Sequence, residues 1–488
     1  MRRIGTVRRR GAAGDACVAE LVDALGPDRV RAGGAARHLA SSDASIFRGG
    51  AAGPVCFPTS TAEVRAIVRI AARHERPVVP RGAGSGLTGG AAPLGVPIVV
   101  STTRMNAVLE VDLGDMVAWV QPGVINLDLT NQLADRGVHF APDPSSQQVC
   151  TIGGNVANNS GGPHCLADGV TSAHVLAIEV VLSDGEVVML GGLDAEPAGY
   201  DLRGAFVGSE GMFGIATRVA VRLTRNPPSV ATMLLSFSEV HDAAATVGAV
   251  IADGMVPAAI EMMDQRCVEA VEAFVHAGYP TDAAAVLLIE VDGQPGGVEV
   301  QVDRVRSIAQ RHRAAVRVAA DDTERALLWK GRKSAFGAIA RIKPDYYLHD
   351  TVVPRTALVE VLRSIYEIVD RHDLLVLNVF HAGDGNLHPI LAYDAREPGA
   401  DERVRSAGRE IIEVSLAAGG VLSGEHGIGV EKRDFMALQF ADDDLDHQAR
   451  LRAAFDPHCR LNPGKVLPSP HSCADIAALS AATEEVWG

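Results

Sequence analysis

Three glycine-rich segments attached to apolar, β-type runs constrain the fold of this chain more than any other feature. They read RGAGSGLTGG from Arg81, CTIGGNVANNSGG from Cys150 and VGSEGMFG from Val207. Glycine lets a backbone adopt positive φ and approach a ligand closely. Three such loops near strand ends predict a large ligand that lies extended along them and is held mainly by backbone, as a dinucleotide cofactor would be.

The segment before the first loop predicts a helix and a strand. Ser60 and Glu63 form a capping-box pattern, and the apolar spacing from Val64 predicts a helix that runs to about Glu75. The apolar PVVP run then predicts a strand that delivers the glycine loop.

The first glycine loop contains the spacing GxGxxG, but we reject a Rossmann site there. That fold needs a long helix directly after the glycines, whereas Pro93 and Pro97 interrupt this segment before the strand-like PIVVS. Asp112 stands near the position of a ribose-binding acid, but without that helix we do not interpret it as one. We interpret residues 82–90 as an anion nest for phosphate; the alternative is a plain flexible loop.

The stretch FHAGDGNLHP places two histidines around an Asp-Gly pair. Asp-Gly favours a two-residue hairpin loop, and in that register His381 faces His388, with Cβ atoms roughly 5 Å apart. Phe380 and Pro389 then form the next pair outward. The alternative is a hairpin whose two histidines are satisfied or face solvent.

A third candidate ligand, in addition to the two histidines, lies in GVLSGEHGIG, where Glu425 and His426 stand between glycines. Two histidines and a carboxylate with an open coordination position make a catalytic divalent-metal site of the zinc or non-haem iron type. Glu425 would then bind the metal while His426 works as a base. The alternative is an exposed glycine-rich loop with a charged tip.

Length and charge limit the class of protein. A chain of 488 residues predicts two or three domains. The net charge of −15 argues against a nucleic-acid surface, and we expect no membrane span or signal peptide. Five arginines among the first ten residues are an exception, interpreted as a disordered tail or a start codon placed too early, with a phosphate-binding arm as the alternative.

The cysteines exclude several redox centres. The chain has seven, and no two are spaced as CxxC, which argues against iron–sulfur clusters and structural zinc. Their scatter predicts reduced thiols in a cytoplasmic protein.

Taken together, these motifs resemble the FAD-binding oxidoreductases of the vanillyl-alcohol oxidase and p-cresol methylhydroxylase superfamily. PRGAGSGLTGG, GGNVANNSGG, GSEGMFGI, HAGDGNLHP, SGEHGIG and LNPGK occur in the family's order, between about Ala51 and Pro468. The chain is most similar to the branch of D-lactate dehydrogenases, D-2-hydroxyglutarate dehydrogenase and the flavin subunit of bacterial glycolate oxidase. The segment GRKSAFGAIARIKPDYYLHDTVVPR resembles the last of these most.

The resemblance implies an α+β fold in four parts. Residues 1–50 would form an arm and helical lead-in, and residues 51–227 an FAD-binding domain of the p-cresol methylhydroxylase type. Residues 228–440 would form a cap with an antiparallel sheet flanked by helices and the metal site. Residues 441–488 would form a helical segment that returns to the FAD domain.

The resemblance also implies which residues contact FAD. Relatives with covalent flavin attach it through a histidine in the first glycine loop, and none lies between Arg81 and Pro93, so we predict dissociable FAD. The expected contacts are Pro80, Arg81, Gly82, Ala83, Gly84, Ser85, Gly86, Leu87, Thr88, Pro144, Ser145, Thr151, Gly153, Gly154, Asn158, Ser160, Gly161, Glu210, Gly214, Ile215 and Asn462.

By the same similarity, His381, His388 and Glu425 match the family's metal ligands, with zinc, manganese or iron as the ion, and His426 matches its base. Arg332 matches the family's carboxylate-binding arginine; a helix-surface arginine is the alternative. The residues expected at the substrate are Arg332, Arg341, Tyr346, His381 and His426.

The implied reaction is oxidation of a 2-hydroxy acid by hydride transfer to flavin. Relatives that oxidise a dicarboxylate have a lysine where this chain has Leu348 and a threonine where it has Phe336. We therefore expect a small monocarboxylate, glycolate or D-lactate. A stand-alone D-lactate or D-2-hydroxyglutarate dehydrogenase, a non-catalytic flavin subunit, and a metal protein without flavin are the alternatives.

The expected electron acceptors are separate proteins. They are a companion flavin-fold subunit with an iron–sulfur subunit, or an electron-transfer flavoprotein or cytochrome. A homodimer and contact with the membrane through partner subunits are further expectations.

Overall fold

The apolar PVVP and PIVVS runs pair as parallel neighbours in the computed structural model, which describes residues 15–47, 49–193 and 199–468. They belong to a four-stranded sheet of order β1-β2-β4-β3, in which β1 alone runs antiparallel to its neighbour. The strands are β1 (Val30–Arg31), β2 (Val55–Cys56), β3 (Val78–Arg81) and β4 (Ile98–Ser101). The helices of this part are α1 (Ala16–Leu25), α2 (Gly34–Leu39) and α3 (Thr61–Arg73).

Helix α3 begins where predicted, with a modified cap. The Ser60 side chain accepts a hydrogen bond from the Glu63 N–H, but the Glu63 carboxylate turns to the Thr59 N–H at 2.8 Å instead of completing the box. The helix ends at Arg73, two residues before Glu75. No helix occurs between residues 82 and 97, and Asp112 is exposed, which confirms the rejection of a Rossmann site.

A five-stranded antiparallel sheet of order β5-β6-β10-β8-β9 forms the second layer. Its buried residues, among them Val120, Ile178 and Val219, form one core with those of α4 and α5. The strands are β5 (Val108–Asp112), β6 (Val117–Val120), β8 (Val175–Val181), β9 (Val187–Gly191) and β10 (Ile215–Arg222), and β7 (Val138–His139) pairs with β11 (Thr224–Arg225). The helices are α4 (Asn126–Leu133), α5 (Ile152–Asn158), α6 (Cys165–Asp168) and α7 (Leu202–Phe206), with 3-10 turns at Thr102–Arg104, Ala134–Arg136 and Thr171–Ala173.

A nine-stranded antiparallel sheet follows the proline-rich RNPPSV segment. Its order is β15-β12-β14-β13-β18-β19-β17, and β20 pairs with both β18 and β16. We call this part the cap unit and the part with the first two sheets the N-terminal unit. The strands are β12 (Ser229–Phe237), β13 (Ala259–Asp264), β14 (Ala285–Gly293), β15 (Ala315–Val318), β16 (Asp345–Leu348), β17 (Thr351–Val352), β18 (Leu375–His381), β19 (Asn386–Leu387) and β20 (Pro389–Tyr393).

Amphipathic helices cover the nine-stranded sheet, and α13 buries Val361, Leu362 and Ile365 in its core. The helices of the cap unit are α8 (Val240–Ala252), α9 (Gln265–Val275), α10 (Pro295–Arg311), α11 (Asp322–Lys333), α12 (Ala335–Ile339), α13 (Leu358–Arg371), α14 (Ala400–Ala417) and α15 (Met436–Gln439), with 3-10 turns at Arg355–Ala357 and Arg433–Phe435. None of the helices in the described ranges has both the length and the apolar composition of a membrane span.

The C-terminal segment returns to the N-terminal unit, as predicted. After α16 (Asp442–Phe455), the side-chain amide of Asn462 donates to the carbonyls of Gly90 and Glu210. These contacts complete the predicted α+β organisation. The limits at residues 50, 227 and 440 stay predictions, and the N-terminal arginines lie outside the described residues.

The state of the cysteines differs in part from the prediction of reduced thiols. Cys17, Cys56, Cys150, Cys165 and Cys267 are free, as expected. Cys459 is disulfide-bonded, so the prediction is wrong at that position.

Candidate active site

The hairpin that carries the two histidines has a longer loop than predicted. His381 pairs with Asn386 and Asn378 pairs with Pro389, so the register differs by two residues and the loop comprises residues 382–385. Within it, Gly385 has positive φ and Asp384 does not, which excludes the predicted two-residue turn. Contacts from outside the hairpin set this loop, because Val353 N–H donates to Gly385 and Arg355 to Gly383.

A register shift of two residues keeps both imidazoles on one face of the sheet. The rings of His381 and His388 lie 5.1 Å apart at 88°. The carboxylate of Glu425 meets both, since its Oε1 lies 3.3 Å from His381 Nε2 and 3.2 Å from His388 Nε2. The three side chains predicted as metal ligands therefore converge, with ligand atoms within 4.8 Å of one another.

Hydrogen bonds behind the two rings orient them toward Glu425. His381 Nδ1 lies 2.7 Å from Oε1 of Glu261, and His388 Nδ1 lies 3.3 Å from the carbonyl of His349. An acceptor on Nδ1 keeps a proton there, so that Nε2, which faces Glu425, is the nitrogen that can become a ligand once a cation replaces its proton. The hairpin thus presents two Nε2 atoms to one carboxylate.

The carboxylate of Glu425 is charged although it is buried. Burial raises its pKa, but hydrogen bonds from His381 and His388 outweigh burial and hold the pKa well below the ordinary value. Its Oε2 is buried and has no hydrogen-bond partner among the described residues. Two nitrogens and a carboxylate with an orphaned oxygen fit a divalent cation of the zinc, manganese or iron class.

A second group with cation-binding spacing, Asp350, His388 and His426, overlaps the first. The carboxylate of Asp350 is already in use, because it accepts from the Ser423 hydroxyl, from the N–H groups of residues 424 and 426, and from Lys432. Those bonds shape the loop that carries Glu425. Asp350 is therefore a support of the loop, and the group with Glu425 is the better cation site.

The N-terminal unit holds the same loop from the other side. Asn158 donates to the His426 carbonyl at 2.8 Å, and the Glu210 carboxylate accepts from the N–H groups of Ile428 and Gly429 at 2.6 and 2.8 Å. The Thr88 carbonyl accepts from Val430 N–H at 2.8 Å. The position of Glu425 and His426 thus depends on both units.

The imidazole of His426 lies at the boundary of the two units. It stacks on His388 with ring centres 5.0 Å apart and planes at 7°, and it lines the main cavity. Burial lowers the pKa of His426 to about 4, although the charge of Asp350 opposes this. A neutral imidazole on the cavity wall is able to accept a proton.

Arg332 of helix α11 is buried, which rules out the helix-surface alternative. It is 1% exposed, its Nη2 lies 2.5 Å from Glu261 Oε2, and it lines the cavity. Its Nε and Nη1 have no hydrogen-bond partner within the part of the chain that the structure describes. A buried guanidinium with unused donors suits an anionic ligand.

Of the other residues predicted to contact the substrate, some line the cavity and others do not. Tyr346 lines the cavity, together with Phe336 and Leu348. Arg341 does not, so its prediction is wrong: it is exposed, donates to the Ala273 carbonyl and lies over the ring of Phe274 at 5.6 Å. His381 does not line the cavity and belongs to the candidate cation site.

The main cavity runs between the two units, and segments from all three glycine-rich loops line it. Close packing of the wall requires glycine at two positions, since a Cβ on Gly214 would lie 2.3 Å from Val180 and one on Gly153 2.6 Å from Pro122. The expected FAD contacts that line it are Pro80, Arg81, Gly82, Ala83, Gly84, Ser85, Gly86, Leu87, Pro144, Ser145, Thr151, Gly153, Gly154, Asn158, Ser160, Glu210, Gly214 and Ile215. A glycine-walled groove of this kind fits an extended dinucleotide such as FAD.

Three expected FAD contacts support the wall from behind instead of lining it. Thr88 bonds the loop after His426, and Asn462 ties Gly90 to Glu210. Gly161 leaves space for Glu425, since a Cβ there would lie 3.0 Å from its Oε2. The glycine motif around residue 161 thus makes room for Glu425 of the candidate cation site.

The sequence analysis missed three buried acids, Glu261, Asp350 and Glu290. Glu290 bonds Arg325, Trp329 and, at 3.4 Å, His164 of the N-terminal unit. Asp143 and Glu290 outweigh burial and raise the pKa of His164 to about 10. One signal was available, because Glu261 and Glu290 interrupt the apolar runs AIEMM and VLLIEV, and a buried acid requires a partner.

Acid precipitation tests the dissociable attachment of the cofactor. We expect trichloroacetic acid to give a colourless pellet and a yellow supernatant containing intact FAD, because no histidine lies in the first glycine loop. Absorption spectra of the two fractions provide the measurement. Yellow colour that stays with the denatured protein would contradict the prediction.

Comparison with known proteins agrees with the motifs and the geometry. Residues 53–191 match the family described as FAD binding domain, and residues 226–466 match FAD linked oxidases, C-terminal domain. Glycolate oxidase subunit GlcD of Escherichia coli (strain K12) is 46% identical, over 87% of this chain and 85% of the relative. The probable mitochondrial D-lactate dehydrogenase of Danio rerio is 31% identical, over 94% of each chain.

The fold also agrees with that of a solved structure. p-Cresol methylhydroxylase with substrate bound superposes with a TM-score of 0.78 at 16% identity, over 93% of this chain and 96% of that one. This likeness confirms the predicted fold class. The chain therefore belongs to the FAD-linked oxidases, in the branch that contains D-lactate dehydrogenases and glycolate oxidase subunit GlcD.

Proposed function

We propose that this protein catalyses the FAD-dependent oxidation of a small 2-hydroxy monocarboxylate, glycolate or D-lactate, to the 2-oxo acid. The observation that carries the proposal is that Arg332, His426 and two of the three cation ligands line the same glycine-walled cavity. A relative named as a glycolate oxidase subunit and one named as a D-lactate dehydrogenase support the substrate class.

The residues of the cavity have separate tasks in this proposal. Arg332 binds the substrate carboxylate with its unused donors, which fixes the orientation of the neighbouring carbon. His426, neutral in its buried position, takes the hydroxyl proton. His381, His388 and Glu425 would hold a divalent cation, which would lower the pKa of the substrate hydroxyl.

The glycine-rich loops would hold FAD, which supplies the acceptor for the hydride released from the α-carbon. Their contribution is orientation. They would fix the cofactor by backbone contacts from the N-terminal unit, whereas Arg332 and His388 line the same cavity from the cap unit. The chain has no CxxC pair, so we propose that electrons pass to a separate protein, either companion subunits or a flavoprotein or cytochrome acceptor.

The apolar side of the cavity favours a small acid. Leu348 is 6% exposed, and both it and Phe336 line the same cavity as Arg332. A second carboxylate against these side chains would lose its hydration without gaining a partner. A dicarboxylate such as D-2-hydroxyglutarate should therefore react poorly.

The first test is anaerobic bleaching of the flavin absorption band by single substrates. We expect glycolate or D-lactate to reduce the bound flavin, and D-2-hydroxyglutarate to do so at least about 100-fold more slowly. Leu348→Lys should raise the rate with D-2-hydroxyglutarate, because the ammonium supplies the missing partner. Leu348→Met is the matched control for a change of shape without charge.

Each outcome separates the candidate functions. Reduction by D-2-hydroxyglutarate alone would show that the interpretation of Leu348 and Phe336 is wrong. If bound flavin resists every acid, the chain is not a self-sufficient dehydrogenase, and a non-catalytic flavin subunit becomes the better description. A purified protein that takes up metal and no flavin would overturn the oxidoreductase proposal.

A further inference from the structure

One carboxylate joins the two halves of the candidate active site. Glu261 lies in strand β13 and is 1% exposed. Its Oε1 lies 2.7 Å from Nδ1 of His381, and its Oε2 lies 2.5 Å from Nη2 of Arg332. Glu261 itself does not line the cavity, so it acts on both residues from behind.

We infer that Glu261 is a positioning residue that couples cation binding at His381, His388 and Glu425 to the anion-binding state of Arg332. The inference rests on the function proposed above and deepens it. It states that the two binding events communicate through a specific side chain.

The backbone leaves Glu261 little freedom to serve its two partners independently. Strand β13 has neighbours on both sides, β14 and β18, and Glu261 is directly opposite His381 in the β18 ladder. A residue in the middle of a wide antiparallel sheet cannot shift without breaking ladder bonds on both edges. The backbone of Glu261 is therefore fixed between its neighbours, and one side chain has to reach both His381 and Arg332 from that position.

The charges of Arg332 and His381 determine what their shared contact with Glu261 does. The buried positive charge of Arg332 requires a counter-charge, and Glu261 is the acid within ion-pair distance in the described residues. An acceptor on Nδ1 also raises the basicity of a metal-binding imidazole. Glu261 cannot fully neutralise Arg332 and fully raise the basicity of His381 at the same time. A change at one partner therefore alters the electrostatic support that Glu261 gives to the other.

This sharing predicts opposite effects for two substitutions on cation affinity in the absence of substrate. Glu261→Gln removes the support of His381, and we expect zinc to bind about 10- to 100-fold more weakly. Arg332→Gln releases the carboxylate to His381, and we expect zinc to bind several-fold more tightly, although Arg332 touches none of the three ligands. Coupling of this kind is reciprocal between the two sites.

The experiment is a double-substitution cycle on the full-length, FAD-loaded protein. Zinc dissociation constants are measured by competition with a chromophoric chelator for the wild type, Glu261→Gln, Arg332→Gln and the combined variant. In the combined variant the Arg332→Gln effect should vanish. If it persists at full size, the two charges act only through space and the inference is overturned.

Asp264→Asn is the matched control. Asp264 lies in the same strand, is 4% exposed, and bonds the Cys267 and Asn378 N–H groups away from the site. Its variant should keep wild-type zinc affinity. Should Glu261→Gln fail to fold, as shown by loss of bound FAD, the comparison of Arg332→Gln with the wild type remains, and unchanged or weaker zinc binding there would overturn the inference.

The outcome is separable from that of the proposed function. Flavin reduction by a hydroxy acid in the wild type tests the proposed function alone. If the wild type is reduced and binds zinc while the substitutions leave zinc affinity unchanged, only the coupling is wrong. If the wild type binds none of zinc, manganese and iron, both the coupling and the cation part of the proposed function are wrong.

Discussion

Replacement of His426 by alanine should slow flavin reduction by the substrate by about 10²- to 10⁴-fold, the usual contribution of a positioned general base. FAD should stay bound, because the backbone of residue 426 supplies the loop contacts: its N–H donates to Asp350 and its carbonyl accepts from Asn158. Both survive the loss of the ring. The measurement is stopped-flow bleaching of the flavin band under anaerobic conditions.

A second buried histidine provides the control for His426→Ala. His174 is 5% exposed, bonds the Asp168 carbonyl and lies away from the cavity lining. His174→Gln should reduce its flavin at the wild-type rate. Unchanged reduction in His426→Ala would remove this residue from the chemistry.

Removal of the cation should have an effect of similar size. Chelation is expected to slow flavin reduction at least about 100-fold while the visible spectrum of bound FAD remains, because a cation contributes several kcal/mol to stabilising a developing alkoxide. Re-addition of zinc, manganese or iron one at a time should restore the rate for the ion that the site uses.

Glu425→Gln should reproduce the chelated state and resist rescue by any of the three ions. Glu431→Gln is its matched control, since Glu431 is buried and six residues further along the same segment but outside the ligand group. Reduction that survives both chelation and Glu425→Gln would exclude a role for the cation in the reaction.

The sequence was sufficient for the identity of the converging side chains but not for the hairpin geometry. His381 and His388 share a face in either register, since side chains alternate with a period of two. The predicted two-residue turn failed because Arg355 and the Val353 backbone bind the loop. Contacts of that kind come from elsewhere in the chain, and the sequence of the Asp-Gly pair does not reveal them.

Arg341 and Glu261 show two things that the sequence alone does not predict, the direction of a side chain and its distant partner. Arg341 resembled a pocket residue by its segment, yet it points to Phe274 on the surface, and local sequence does not specify which way a side chain turns after a helix ends. Glu261 was recognisable as an acid in an apolar strand, but its partner His381 is 120 residues away. Only the assembled sheet identifies that pair.

The loop of Glu425 and His426 also fixes when the active site can form during synthesis. Thr88, whose hydroxyl bonds the His426 carbonyl, precedes that residue by 338 positions. Chains fold as they leave the ribosome, N-terminal parts first. All three glycine-rich loops are therefore translated long before Glu425, and the nascent protein passes through a stage in which it has the glycine loops of the cofactor groove but no means of oxidising a hydroxy acid.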